Sequence, residues 1–104
     1  MVSGGLGSLG WLSDPDSQFY GVNFPGYNSS KSALNAVTAA LSKELAGSGV
    51  RVNAADPAYT ATDFKGHSGY RTVEEAANGL GRLATQGEEG QTGDVYFDGT
   101  VVPW

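Results

Sequence analysis

Residues 28–55, NSSKSALNAVTAALSKELAGSGVRVNAA, decide the fold class. Leu34, Val37, Leu41 and Leu45 recur at spacings of three and four, the period of one helix face. The spacing predicts a helix over 28–46 that packs on a sheet. Ala33, Ala36 and Ala40 make a second face without bulk, open to close approach by another helix or backbone. Gly47 and Gly49 end the helix where a left-handed residue is wanted. Residues 50–55 then alternate Val50, Val52 and Ala54 with Arg51 and Asn53, a short strand. Asp56-Pro57 stops it, because proline has no N–H for a ladder. Helix, glycine turn and strand are half of a βαβ unit and imply a parallel sheet.

Upstream, residues 3–26 have no helical period and are dense in Gly, Ser, Pro and Asp. Trp11, Phe19, Tyr20 and Phe24 are scattered among them. The segment reads as a long loop with aromatic anchors, and that length points to a binding loop or a missing partner. Downstream, residues 58–71 read as loop. Thr72–Thr85 reads as a second helix: Thr72 and Glu75 have capping-box spacing, and Val73, Ala76, Ala77, Leu80 and Leu83 make its apolar face. Residues 86–93 are a polar loop, Val95–Phe97 a strand and Asp98-Gly99 a turn dipeptide. Val101 and Val102 return as a hairpin strand or run on as a tail to Trp104. The chain is expected to be one α/β domain over 1–104, with a loop segment 1–27 and an α/β segment 28–104.

The 104 residues suit one domain. Six basic and 11 acidic residues leave a net charge of −5, which argues against nucleic acid or an anionic membrane as partner. The absence of Cys excludes disulfides and Cys-ligated zinc or iron–sulfur sites, and the single His67 argues against a histidine metal cluster. No apolar run approaches the roughly 20 residues that span a bilayer. The opening MVSGGLGSLGWL lacks a basic start and a continuous apolar stretch, so the expectation is a cytoplasmic chain without metal. Only 16% of residues are charged and 16 of 104 are Gly, a pattern of tight turns rather than disorder.

Tyr27 and Lys31 are four apart and share one helix face. A lysine ammonium near a phenol stabilises the phenolate, which would let Tyr27 act as a general acid or base. The bland reading is a solvated surface pair. Asp63, Lys65 and His67 cluster after Thr62; a metal or charge-relay site is one reading of them, and a solvated loop is preferred.

The pair has company. Tyr27-Asn28-Ser29-Ser30-Lys31 opens the alanine-rich helix and follows Val2-Ser3-Gly4-Gly5; then come Val52-Asn53-Ala54-Ala55-Asp56-Pro57-Ala58 and Thr62. This succession resembles the short-chain dehydrogenase/reductase family, in particular its carbonyl-reductase-like bacterial members. The resemblance covers essentially the whole chain and corresponds to the C-terminal half of that family's domain. It implies a partial Rossmann-like fold, the C-terminal half of a doubly wound parallel sheet, and NAD(P) as cofactor. The implied catalytic set is Tyr27, which gives a proton to a substrate carbonyl oxygen, with Lys31 and Ser3. The implied cofactor contacts are Lys31 on the nicotinamide ribose and Pro57, Ala58 and Thr62 on the nicotinamide amide.

The chain departs from the family's pattern in three places. The glycine-rich phosphate loop that follows the first strand of a dinucleotide fold has no counterpart. Gly4-Gly5-Leu6-Gly7 reads as a turn, and the ribose selector and catalytic asparagine are missing too. The family usually has a second serine where this chain has Gly4; Ser3 is its neighbour, expected to point the other way along a strand, and Ser8 is a further substitute. Asp56-Pro57-Ala58 stands where the family favours Asn-Pro-Gly, and Ala58 lacks glycine's freedom at positive φ. Two functions follow as expectations. One is the catalytic half of an oxidoreductase, inactive alone or completed by another chain, a complementary N-terminal half. The other is a non-catalytic homo-oligomeric module that associates through the helix after Tyr27.

Overall fold

The computed structural model describes residues 1–57, 72–85, 90–97 and 99–104. A 3-10 turn, Gly5–Gly7, leads into α1 (Leu9–Ser13), then α2 (Pro25–Glu44), β1 (Ala54–Ala55), α3 (Val73–Ala84), β2 (Val95–Phe97) and β3 (Thr100–Val102). The fold is α/β, with a three-stranded sheet ordered β1-β2-β3. β1 and β2 are parallel, with Ala54 opposite Val95, and β2 and β3 form an antiparallel hairpin. On the far side of β1, Val2 pairs in parallel with Ala55 as a single bridge.

The strand expected over 50–55 forms a ladder only at Ala54–Ala55. Side chains hold the residues before it. Arg51 Nε donates to Gly90 O at 3.0 Å, Asn53 Nδ2 to Gln91 O at 2.7 Å, and Val52 N to Thr92 Oγ1 at 3.0 Å. Side-chain groups thus stand in for backbone ones: Arg51 takes the Gly90 carbonyl and the Thr92 hydroxyl takes the Val52 N–H that a longer ladder would pair. The bridge to Val2 ends at Ser3, since Pro57 offers no N–H for the next rung.

The front segment is more regular than its composition predicts. Ser8 caps α1 by accepting from Trp11 N at 3.1 Å, and its hydroxyl donates to Pro103 O. Trp11 and Phe19 stack at 5.2 Å between ring centroids. A Cβ on Gly5 would lie 2.8 Å from Phe19 Cζ, so the stack sits directly on a residue without a side chain.

α2 begins at Pro25, three residues earlier than expected, with proline at a position that needs no N–H donor. It ends at Glu44, and Gly47 and Gly49 hold φ +81° and +86°, the left-handed exit that the sequence implied. Its buried residues correct the apolar-stripe reading: they are Asn28, Asn35 and Thr38, while Val37 is 47% exposed. The physical reason is what this face meets. It lies on the backbone of the 3-10 turn, where carbonyls need donors, and Ser32 Oγ and Asn35 Nδ2 both donate to Gly7 O.

α3 opens at the expected cap, with Thr72 Oγ1 accepting from Glu75 N at 3.1 Å. Ala76 is buried and Leu80 and Leu83 are half-buried, whereas Val73 and Ala77 are exposed. Among the described residues the core cluster is small: Ala54, Val95 and Val102, with Trp11 and Phe97 packed against it. Among the described residues no helix is long and apolar enough to cross a membrane.

Candidate functional site

Parallel strands put their carboxyl ends on one edge of a sheet, and ligands of open α/β sheets bind in the crevice outside that edge. Val2 and Ala55 are register partners, so Gly4 and Pro57, each two residues on, sit at the same end of adjacent strands. The start of α2 brings Tyr27 to this end. A Cβ built on Gly4 would lie 3.7 Å from Tyr27 Oη, so the phenol hydroxyl stands directly beside the glycine. Tyr27 is 49% exposed, which leaves it open to a substrate and to solvent.

Lys31 follows one turn later. Its Nζ lies 5.7 Å from the Tyr27 ring centroid, within cation–π range, and donates to Val2 O at 3.2 Å. The lysine is placed by close backbone approach. A Cβ on Gly7 would meet Lys31 Cβ at 2.7 Å and the Lys31 carbonyl carbon at 2.9 Å, so only glycine fits there without moving α2.

Ser3 is directed elsewhere. It is 3% exposed, and its hydroxyl donates to Asn35 Oδ1. That makes Asn35 the residue the sequence reading missed: its amide ties Ser3 to the carbonyl of Gly7 and holds the strand, the turn and the helix together. The signal was present as Asn28, Ser32, Asn35 and Thr38, polar residues at helical spacing inside an otherwise apolar pattern. Beside Tyr27, Asn28 is buried and its Oδ1 has no hydrogen-bond partner. Ser8, the other substitute, is fully buried and occupied as a cap.

Pro57 lies at the sheet end with Asp56, which is buried and donates its N–H to Tyr96 O at 2.8 Å. Both line a cavity of about 240 Å³ shared with Ala76, Leu80 and Arg82 of α3 and with Tyr96. Burial, and then the nearby Asp94 carboxylate, raise the Tyr96 phenol above its ordinary value of 10.0. Ala58, Thr62 and the Asp63, Lys65 and His67 cluster lie outside the described residues. Among the described residues no group of three or more His, Cys, Asp or Glu is placed to hold a metal.

Whether the residues fit a dinucleotide divides by its two ends. Tyr27, Lys31 and Pro57, which the resemblance assigns to the nicotinamide end, lie at the carboxyl edge of the strands. The phosphate end has no matching cradle in the glycine-rich stretch. Gly7 N donates to Gly4 O at 2.8 Å and Ser8 N to Gly5 O at 3.1 Å, so these amides are spent inside the turn. Gly7 is also pressed on Lys31, where a phosphate would need room.

Residues 7–71, well over half the chain, match the short chain dehydrogenase family. The chain belongs to that family. It is 35% identical over 88 residues to the short-chain dehydrogenase anuI of Penicillium roqueforti, covering 83% of this chain and 35% of that one. It is 42% identical over 82 residues to the 2-dehydro-3-deoxy-D-gluconate 5-dehydrogenase of Pseudoalteromonas atlantica, covering 79% of this chain and 31% of the relative. Among solved structures it resembles the carbonyl reductase Sniffer of D. melanogaster, with a TM-score of 0.74 and 30% identity over 99% of this chain and 39% of that one. The chain thus spans about a third of the length of the curated relatives it matches. As a member of the short chain dehydrogenase family with a Rossmann-like α/β sheet, it is carbonyl-reductase-like in structure.

Proposed function

We propose that this chain is the catalytic portion of an NAD(P)-dependent carbonyl or alcohol oxidoreductase and lacks the means to anchor the cofactor alone. The observation that carries the reading is the exposed Tyr27 hydroxyl at the carboxyl end of the strands, one turn from the Lys31 ammonium. Tyr27 would donate its proton to the oxygen of a carbonyl substrate as that oxygen gains negative charge. NAD(P)H, when bound, supplies the hydride that the carbonyl carbon accepts. Lys31 would offset the phenolate left on Tyr27, and solvent returns the proton at this half-exposed position. Lys31, Pro57, Ala58 and Thr62 would hold the nicotinamide end. Gly4 offers no hydroxyl to the substrate oxygen, and Ser3 is committed to Asn35.

The test is a chimera in which this chain replaces the matching stretch of the Drosophila reductase. Carbonyl reduction should be measurable and should fall at least about a thousandfold in Tyr27→Phe, the size of a lost general acid. A folded chimera that binds cofactor yet is inert sinks the reading. For the isolated chain, calorimetric titration with NADH and NADPH should give dissociation constants no tighter than roughly millimolar, about 4 kcal/mol. Micromolar binding would mean that a second copy or another segment rebuilds the phosphate site.

The second reading is a homo-oligomeric interaction module without catalysis. One observation favours it: α2 leaves Val37, Ala33, Ala36 and Ala40 exposed, a low-bulk apolar face suited to a second helix.

A further inference from the structure

Residues 1–4 each meet one side chain of α2, and as the segment runs forward from Met1 to Gly4 its contacts run back along the helix from Thr38 to Tyr27. Thr38 Oγ1 lies 3.3 Å from Met1 Sδ, and Lys31 Nζ donates to Val2 O at 3.2 Å. Asn35 Oδ1 accepts from Ser3 Oγ, and Tyr27 Oη stands 3.7 Å from where a Gly4 Cβ would be. These contacts differ in strength. The lysine bond is exposed, and a thioether is a weak acceptor. The Ser3–Asn35 bond joins two side chains that are each 3% exposed. Asn35 is engaged at both ends of its amide, since its Nδ2 donates to Gly7 O at 3.3 Å, beside Ser32 Oγ at 2.8 Å.

The surface under α2 gives it little grip of any other kind. Packed helices keep their register through side-chain ridges set into grooves. Here the helix lies on Gly4 and Gly7, which raise no ridge. Directional bonds from a buried amide hold its slide instead. Any slide would leave the Ser3 hydroxyl and the Asn35 amide unpaired in a low-dielectric interior, which a satisfied network resists.

We propose that Asn35 is a positioning residue for proton transfer at Tyr27, acting through the slide of α2 along residues 1–4. The proposal rests on the catalytic reading above and adds a residue too buried to touch substrate or cofactor. Tyr27 precedes Asn35 by eight residues, about 12 Å along a helix axis, so a shift at the amide is carried to the phenol by a rigid element. Ser3 is joined to Gly4, which faces the phenol, and Gly7 is pressed on Lys31. One amide thus ties the floor under the Tyr27 hydroxyl and the wedge behind Lys31 to the helix that carries both. A misplacement of about 1 Å at a reacting group costs on the order of a hundredfold in rate.

The test uses the isolated full chain and the chimera with the Drosophila reductase. In isotopically labelled chain, the nuclear Overhauser contact between the Tyr27 ring and the Gly4 α-protons reads the slide directly, and Asn35→Leu and Ser3→Ala should each weaken it. In the chimera each should lower kcat about ten- to hundredfold with KM for the carbonyl substrate little changed. The double variant Ser3→Ala/Asn35→Leu separates positioning from stability. With both polar partners gone it should recover much of the thermal midpoint lost in Asn35→Leu, yet keep the low kcat. On the residual rate of Tyr27→Phe, Asn35→Leu should have no further effect, because it acts through that hydroxyl. The proposal is overturned by a kcat that recovers together with the midpoint, by an equal loss in the Tyr27→Phe background, or by an unchanged contact in both single variants. Should Asn35→Leu fail to fold, Ser3→Ala, which deletes one oxygen, carries the same readings. A contact weakened as expected beside an inert wild-type chimera would retain the placement of Tyr27 by Asn35 and sink the catalytic reading.

Discussion

Gly4 and Gly7 are three residues apart and answer to different constraints. Gly4 is extended, at φ −176° and ψ 155°, and a Cβ there would make an ordinary contact with Tyr27 Oη. Gly4→Ala should therefore be neutral or stabilise by about 0.4–1 kcal/mol through the unfolded chain. Gly7→Ala drives a methyl into the α2 backbone and should cost about 1–3 kcal/mol. Urea denaturation of the two variants checks the contrast, and equal midpoints would refute it. Tyr96 gives a pH signature. Its phenol is raised above 10.0 in the folded chain by burial and then by Asp94. The folded state thus holds its proton to higher pH than the unfolded state does. That stabilisation is complete below about pH 10 and is lost as pH rises through the folded value. Stability followed by urea midpoints should fall above pH 10, and Tyr96→Phe should flatten that part of the fall.

α2 shows why an apolar period does not name the buried face. The helix buries Asn28, sets Asn35 against the amino-terminal turn and Thr38 beside Met1, and its aliphatic residues are left half-buried or exposed. A surface of that kind seeks a partner. Val37→Asp should leave monomer stability within about 0.5 kcal/mol, as exposed substitutions do, yet weaken self-association. Concentration-dependent sedimentation reads both states; unchanged association would move the contact to another surface. α3 was more legible, because its start is written in local chemistry. Thr72→Ala should cost about 1 kcal/mol by removing the cap on Glu75 N. Thermal unfolding measures it, and an unchanged midpoint would mean that α3 frays without consequence for the fold.

At the scale of the molecule, surface outweighs core. The accessible surface is 6474 Å², against about 5,500 Å² for a typical folded monomer of this mass. The Cα radius of gyration is 14.1 Å, where about 13 Å is usual for this length. The buried apolar residues among those described are mostly small: Ala54, Ala55, Ala76, Val95, Tyr96 and Val102. So much exposed surface over so small a core predicts self-association at micromolar concentration. Light scattering that returns a clean monomer would count against it.

What the sequence determined by itself was local. Gly47 and Gly49 marked the left-handed exit of α2, Thr72 and Glu75 marked the entry to α3, and the four-residue spacing of Tyr27 and Lys31 put them on one helix face. Each depends on neighbours within a turn or two, where backbone sterics and hydrogen-bond reach act without regard to the rest of the fold. The loop reading of residues 3–26 missed α1, which is held from a distance: Ser8 bonds to Pro103 O, and Gly10 N donates to Trp104 O. The strand over 50–55 shortened because Arg51 and Asn53 found carbonyls some 40 residues away. The commitment of Ser3 to Asn35, the pressing of Gly7 on Lys31 and the pairing of Lys31 with Val2 O were decided by tertiary structure alone. Which polar group meets which carbonyl is set by how a strand, a turn and a helix converge in space, and no spacing along the chain records it.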